Sequence, residues 1–432
     1  MNLYTEQIEH EDLLLFINSC FAGTSQREFY STREQQSEAL DFLHSYICIN
    51  YRPLYAATLA LGINHHNQQR IIRQLLACSG EAGSMPEAGL IQSALRQLPP
   101  QRVFKLFAAL AFDRINKRRV RATIRDYLAW RANLSFDAIK YRRLLRIFLR
   151  HSHLPLPAEI RDFLFDKGWK QRKFSDPMLE TYRQAHFSAQ AIYKLPYSIA
   201  EGLAARMGIA RSQLLEKAVL TDHERLKLQQ SAARAGRSLE LNPARVGLTR
   251  LLIWILDLPL DERRARLPEL EAMVGICRRR FAPAWLGFEK LALVLDNSYS
   301  SGGSREKQRH PLAIALGAEL LLTPLAREAR SFWLEPPEHP LLVTPRGASG
   351  LARRLLDALE WGAKEIIIVS DGAENDPAGA THWLLESLAQ GPWRPALPRI
   401  VHVNPVLEPD SFGPGTLSGH LPVVGIREAE NL

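Results

Sequence analysis

Three stretches of this chain carry oxygen donors at spacings that could hold a hard cation. Asp296-Asn-Ser298-Tyr-Ser300 offers a carboxylate and two hydroxyls at alternate positions. A second loop offers Ser349, with Thr344 as the alternative hydroxyl. The third is Ser370-Asp371-Gly372. None of these stretches contains Cys or His, and an oxygen-only donor set suits Mg²⁺, or Mn²⁺ or Ca²⁺ in its place. Two carboxylates and three hydroxyls drawn to one point repel unless a cation sits between them.

Donors so far apart in sequence can meet only if regular elements end together. Leu291-Ala-Leu-Val-Leu295 is a five-residue apolar run, the pattern of a strand buried on both faces, and it stops at Asp296. Ile366-Ile-Ile-Val369 repeats the pattern and stops at Ser370-Asp371. Ser349 stands just before a helix expected over 350–361 through Leu351, Leu355 and Leu359. Further helices are expected over 311–326 and 376–390. Short strands are expected at 330–334, 341–343, 399–403 and 421–426. Alternating strands and helices predict a mostly parallel, doubly wound sheet, whose ligand site lies at the carboxyl ends of the strands.

From about residue 52 to 285 the pattern is different. Amphipathic segments follow one another, broken by Pro or Gly, with no strand signal. Short helices joined by short turns predict an α-solenoid of HEAT or armadillo style, or an irregular helical array, since no repeat consensus stands out. Residues 1–50 are acidic and helical in pattern. The expected division is a helical domain over 1–284, with a possible subdivision near 168–196, and an α/β domain over 285–432 after the linker Phe281–Phe288.

At 432 residues and 46% hydrophobic, the chain can fill two or three cores. No apolar run approaches the ~20 residues of a membrane span, and the first ten residues do not resemble a signal peptide. Cys20, Cys48, Cys78 and Cys277 form no CxxC pair, which points to a reduced, cytoplasmic setting without zinc or disulfides.

The net charge of +9 is uneven. Residues 1–290 hold 43 Lys and Arg against 29 Asp and Glu, and residues 291–432 hold 12 against 17. Within 101–150 there are 14 basic residues and three Asp. Arg114, Arg118, Arg121 and Arg125 are spaced to share one helical face, with Lys117 beside them; Arg143, Arg146 and Arg150 do the same on a following helix. Tyr127, Trp130, Tyr141 and Phe148 are interleaved. Arginine forks bind phosphates and exposed rings stack on bases, so an RNA surface is one reading. A solvated basic face with its rings packed between helices is the other.

The Asp-x-Ser-x-Ser motif, the hydroxyl loop and the Asp-Gly after a buried strand together resemble the von Willebrand factor A (vWA) domain and its metal-ion-dependent adhesion site (MIDAS). The resemblance covers roughly residues 285–432. It implies Mg²⁺ held directly by Ser298 and Ser300, with Asp296, Asp371 and Ser349 (or Thr344) holding it directly or through water. It also implies one open coordination position, filled by an Asp or Glu carboxylate of a protein partner. Ser replaces the usual Thr of the third loop. The other reading leaves Asp296 and Asp371 as helix caps.

Helical region followed by vWA domain is the order of the TROVE/Ro ribonucleoprotein family, which the whole chain weakly resembles. That implies a non-catalytic scaffold binding RNA. The competing expectation is a protein-only adaptor, such as those that serve AAA+ ATPases or bacterial conflict systems. A hydrolase is a weaker fit: Ser349, Asp371 and His402 follow the order of a triad, but Gly347-Ala-Ser349-Gly-Leu351 lacks the second Gly of the nucleophile elbow.

Overall fold

The computed structural model describes residues 3–78, 85–217, 220–234, 239–281, 287–391 and 397–432. It divides the chain into two compact units, one of residues 1–50 with 242–432, the other of residues 51–241. The boundary expected at 284/285 is therefore corrected. Composition changes where strands begin, but the helices at 1–50 and 242–281 bury their apolar faces in the same unit as the strands. Most of the linker expected at 281–288 lies outside the described residues.

The new division sharpens the charge contrast. Residues 51–241 hold 32 Lys and Arg against 15 Asp and Glu, a balance of +17; the rest of the chain holds 23 against 31, a balance of −8.

The discontinuous unit is built on five strands: β1 (Phe288–Leu295), β2 (Ala326–Trp333), β3 (Glu365–Val369), β4 (Arg399–Asn404) and, after the two-residue antiparallel pair β5 (Leu407–Glu408) and β6 (Gly413–Pro414), β7 (Val423–Gly425). Their spatial order is β2-β1-β3-β4-β7, with every pairing in that sheet parallel. The order reverses direction between β1 and β3, which puts a topological switch point there. Leu295 pairs with Val369, so the two strands end level and their following residues, Asp296 and Ser370, emerge together.

Leu291 to Leu295 are all fully buried, as a strand covered on both faces requires. Ala292 and Val294 join Ile366, Ile368, Leu351 and Leu355 in one core cluster. Each such Leu or Ile contributes about 1.5–3 kcal/mol by leaving water. The helix His310–Leu322 is apolar nearly all round and buried along most of its length. The N-terminal helix Leu3–Ala22 lies against the end of the sheet. Asn18 Nδ2 donates to Val423 O, and Gly425 N donates back to Asn18 Oδ1 at 2.9 Å, satisfying the β7 edge. A Cβ on Gly425 would sit 2.3 Å from Asn18 O, so this close approach requires glycine.

Residues 341–343, expected as a strand, lie in and just after a 3₁₀ turn, Pro340–Leu342. Pro340 fixes φ and has no N–H for a sheet ladder. The helix expected from Asp376 begins at Ala380, after Gly379 at φ +72°.

The continuous unit is helical among its described residues. Helices run from Arg52–Ala57 to Asp222–Arg234, several with Pro at or just before the first turn and caps from Asn64, Asn133 and Asp176. Phe104 and Phe107 of the Pro100–Phe112 helix pack on Phe148 and Tyr127, with centroids 5.5–6.0 Å apart.

Candidate functional site

At the switch point, Asp296 is the first residue after β1. Its Oδ1 accepts from Ser298 N at 2.7 Å, which turns the chain back and brings Ser298 Oγ within 3.1 Å of Ser300 Oγ. Asn297 anchors this loop sideways. Its Nδ2 donates to Glu335 O and its Oδ1 accepts from Glu335 N, while its own carbonyl accepts from Arg346 N. Asp371 follows β3; its Oδ1 accepts from Ala373 N at 3.1 Å. Gly372 has φ +82°, and a Cβ there would meet Gly415 O at 2.9 Å.

The structure brings Ser349, not Thr344, to Asp296. Ser349 N donates to Asn375 Oδ1 at 2.8 Å, and Ser349 O accepts from Asn375 N and Asp376 N. Thr344 instead lines a neighbouring cleft and offers its carbonyl to Asn297. Asn297 and Asn375, which set the two loops, were missed in the sequence because their amides bind backbone groups 26 to 38 positions away. Glu374 was missed as well; it accepts from Ala352 N and from both Thr381 N and Oγ1.

Asp296, Ser298, Ser300 and Ser349 are each at most 4% exposed. Burial pushes the Asp296 carboxyl well above the ordinary carboxylate range, and the nearby Asp371 adds to this; the Ser298 and Ser349 hydroxyls oppose it. Asp371 is raised as well, chiefly by burial, with Ser300 pulling the other way. Yet Asp296 Oδ2 and Ser349 Oγ, both buried, complete no well-formed hydrogen bond. Two orphaned oxygens facing a second carboxylate are what a cation-binding shell looks like from the protein side. The bond from Ser298 N to Asp296 Oδ1 is one that a capping carboxylate also makes, and it leaves Oδ2 unused. Among the described residues, no three His, Cys, Asp or Glu side chains gather as a metal cluster. Any cation here would rely on hydroxyls for the rest of its shell.

The mouth of this site holds residues from far up the chain. Tyr30, 59% exposed, reaches the Ser300 hydroxyl, and both nearby carboxylates help to raise its phenol pKa after burial. Phe29 packs edge-on against Tyr30 at 4.8 Å and near Tyr299 at 6.3 Å. The segment is held by a buried ion pair between Glu28 and Lys307, and by Ser304 Oγ donating to Arg27 O. Nothing in the local sequence of 27–31 points to residues near 300.

His402 does not join Ser349 and Asp371. It is fully buried, with Nε2 3.0 Å from Ser370 Oγ and Nδ1 unpartnered, so the hydrolase triad is not assembled.

Among solved structures, the chain matches the Ro (RSR) protein of Deinococcus radiodurans. The TM-score is 0.57 at 15% sequence identity, covering 97% of both chains. The two share a fold. No protein-family model and no curated protein matches this sequence.

The basic residues fall in the continuous unit. Lys117, Arg118, Arg121, Arg125, Arg143 and Arg150 are exposed, as is Arg114; Arg146 is half-buried. The shared face expected from Arg114 onward is corrected. The helix starts at Arg118, and Arg114, at φ +58°, sits in the preceding turn after the Asp113 cap. Some of the charge is used internally. Lys117 Nζ donates to Ala77 O, Arg121 Nη1 to Asn116 O, and Arg125 pairs with Asp126. Arg119 pairs with the buried Glu87 and Arg131 with the buried Asp137. Of the interleaved rings, Tyr127 and Phe148 are core residues at 1% exposure, and Tyr141 is half-buried. Only Trp130 is exposed, with Arg96 and Arg131 over its ring.

Proposed function

We propose that this chain is a non-catalytic, cytoplasmic, Ro-like scaffold. In this reading the helical unit is a HEAT-like platform that binds RNA. The discontinuous unit is a vWA domain with a metal-dependent protein-docking site. The observation that carries the reading is the shared fold with a Ro protein across 97% of both chains. It is supported by the +17 balance of residues 51–241 and by exposed arginines on the Arg118–Trp130 and Arg142–Ser152 helices. Non-specific RNA affinity follows from phosphate contacts and falls with salt.

Ser298, Ser300, Ser349, Asp296 and Asp371 would hold Mg²⁺. When bound, the cation supplies a positive centre able to accept a partner's Asp or Glu carboxylate. The residues themselves orient that approach: the turn at Ser298 and the Asn375 clasp on Ser349 hold the backbone that carries the hydroxyls.

The adaptor reading without RNA has one observation in its favour. Tyr127 and Phe148 are buried and cannot stack on bases, leaving Trp130 as the one exposed ring of that set. The test is direct. The purified protein is assayed for co-purifying nucleic acid with and without nuclease, then titrated with labelled single-stranded RNA at rising salt. Saturable binding with a steep salt dependence supports the scaffold; no binding at low salt leaves the adaptor.

A further inference from the structure

Beside the Asp-x-Ser-x-Ser loop, the discontinuous unit contains a half-open cleft of ≈ 760 Å³ that neither the metal reading nor the basic helices use. That is the size range of small-molecule sites. Three arginines line it: Arg263, Arg305 and Arg309. One carboxylate, Asp257, faces them, 4.0 Å from Arg309 Nε. The lining thus carries a net charge of +2 in the fold.

Arg263 is the decisive group. It is 3% exposed, and its Nη1 donates to Leu341 O and Val343 O at 2.9 Å each. Its Nε is buried without any acceptor. A buried guanidinium with an idle N–H is costly, and this one belongs to the lining of the cleft. The cleft is also lined by Leu256, Leu312, Val343 and Pro345 and by two rings that remain exposed, Phe29 at 39% and Tyr299 at 70%.

The geometry points to a binding site for a phosphate-bearing ligand of mononucleotide size, with the phosphate on Arg263, Arg305 and Arg309 and the base against Phe29 and Tyr299. A single carboxylate brings one negative charge, whereas a phosphate monoester brings about −1.5 to −2 at neutral pH, close to the charge of the cleft. Guanidinium forks match phosphate oxygens bidentately, and rings accept a base of any sequence. A free nucleotide and the terminal nucleotide of a strand share this chemistry.

The test uses the full chain at low salt in EDTA, so that the metal plays no part. AMP is measured by equilibrium dialysis beside adenosine, a glutamate-rich peptide and a 5′-phosphorylated oligonucleotide. We expect saturable AMP binding, with adenosine weaker by roughly tenfold or more for want of the charge-assisted contacts. Arg305→Glu with Arg309→Glu should abolish AMP binding while the circular dichroism spectrum is unchanged; Phe29→Ala should weaken it severalfold. Arg118→Glu with Arg121→Glu, in the other unit, should leave it intact, which separates this site from the RNA reading. Tighter binding of the oligonucleotide than of AMP assigns the ligand to a strand terminus, and the reverse assigns it to a free nucleotide. No AMP binding, equal binding of adenosine or of the peptide, or full AMP binding by the Arg305/Arg309 double variant overturns the proposal.

Discussion

The two units handle charge in opposite ways. In the discontinuous unit, charged and polar side chains are taken out of water and set against each other: Asp296 beside Asp371, Glu28 against Lys307, Arg263 on two backbone carbonyls. Among the described residues of the helical unit most of the basic excess stays on the surface, and the buried carboxylates Glu87 and Asp137 are matched by Arg52 and Arg119 and by Arg131. Buried charges are specific and expensive; exposed ones are cheap and additive. Such a contrast separates a site that recognises one group at one geometry from a surface that holds a polyanion through many weak, interchangeable charges.

The largest break in this comparison should come from the buried pair. Lys307→Met leaves Glu28 buried without its ion-pair partner, and should cost about 3–5 kcal/mol in denaturant unfolding. Adding Glu28→Gln should recover much of that loss. If the single variant is as stable as the parent, the pair contributes nothing and the docking of residues 26–31 has another basis.

Next is the metal. At Mg²⁺ a hundredfold above its Kd, stabilisation of about 2.7 kcal/mol is expected over EDTA, read as a rise in melting temperature. Asp296→Ala should abolish that rise without unfolding the unit. An equal melting temperature in Mg²⁺ and in EDTA would sink the cation site.

The exposed surface should respond more gently. Arg118→Glu with Arg121→Glu should weaken RNA binding and lower the slope of log K against log salt by about 1.4, roughly 0.7 for each single-strand phosphate no longer neutralised. An unchanged slope returns both residues to a solvated face.

The smallest effect concerns pH. His186 of the helical unit, packed edge-on against Trp169 and Tyr182, is held down to about 4, by burial first and then by Lys170 and nearby arginines. Between its ordinary value near 6.5 and about 4 the unfolded chain binds more protons than the folded one. Stability is therefore whole above pH ~6.5 and drains as pH falls toward ~4. His186→Gln should flatten that slope in unfolding experiments; an unaltered slope assigns the acid sensitivity elsewhere.

Much of the site was legible because its donors sit where local patterns stop. The apolar runs 291–295 and 366–369 mark strands, a parallel sheet aligns their ends, and Asp296 and Asp371 follow directly. The helical spacing of Leu351, Leu355 and Leu359 already favours Ser349 over Thr344, whereas the Asn375 hydrogen bond that sets its loop crosses 26 positions and has no local signal. The basic stretch misled in its spacing, since a helical wheel drawn from Arg114 assumes a helix that starts only at Arg118.

What the sequence by itself determined are the features with a local period or a local cost: buried strands, amphipathic helices, and charge concentrated in one region. Only the tertiary structure decided that helices from residues 1–50 and 242–281 share a unit with the sheet. It alone set Tyr30 at the mouth of the site and gathered three arginines around a half-open cleft. These depend on which apolar faces meet, and burial is non-directional and roughly proportional to area. A sequence pattern therefore shows that a face must be covered without naming what covers it.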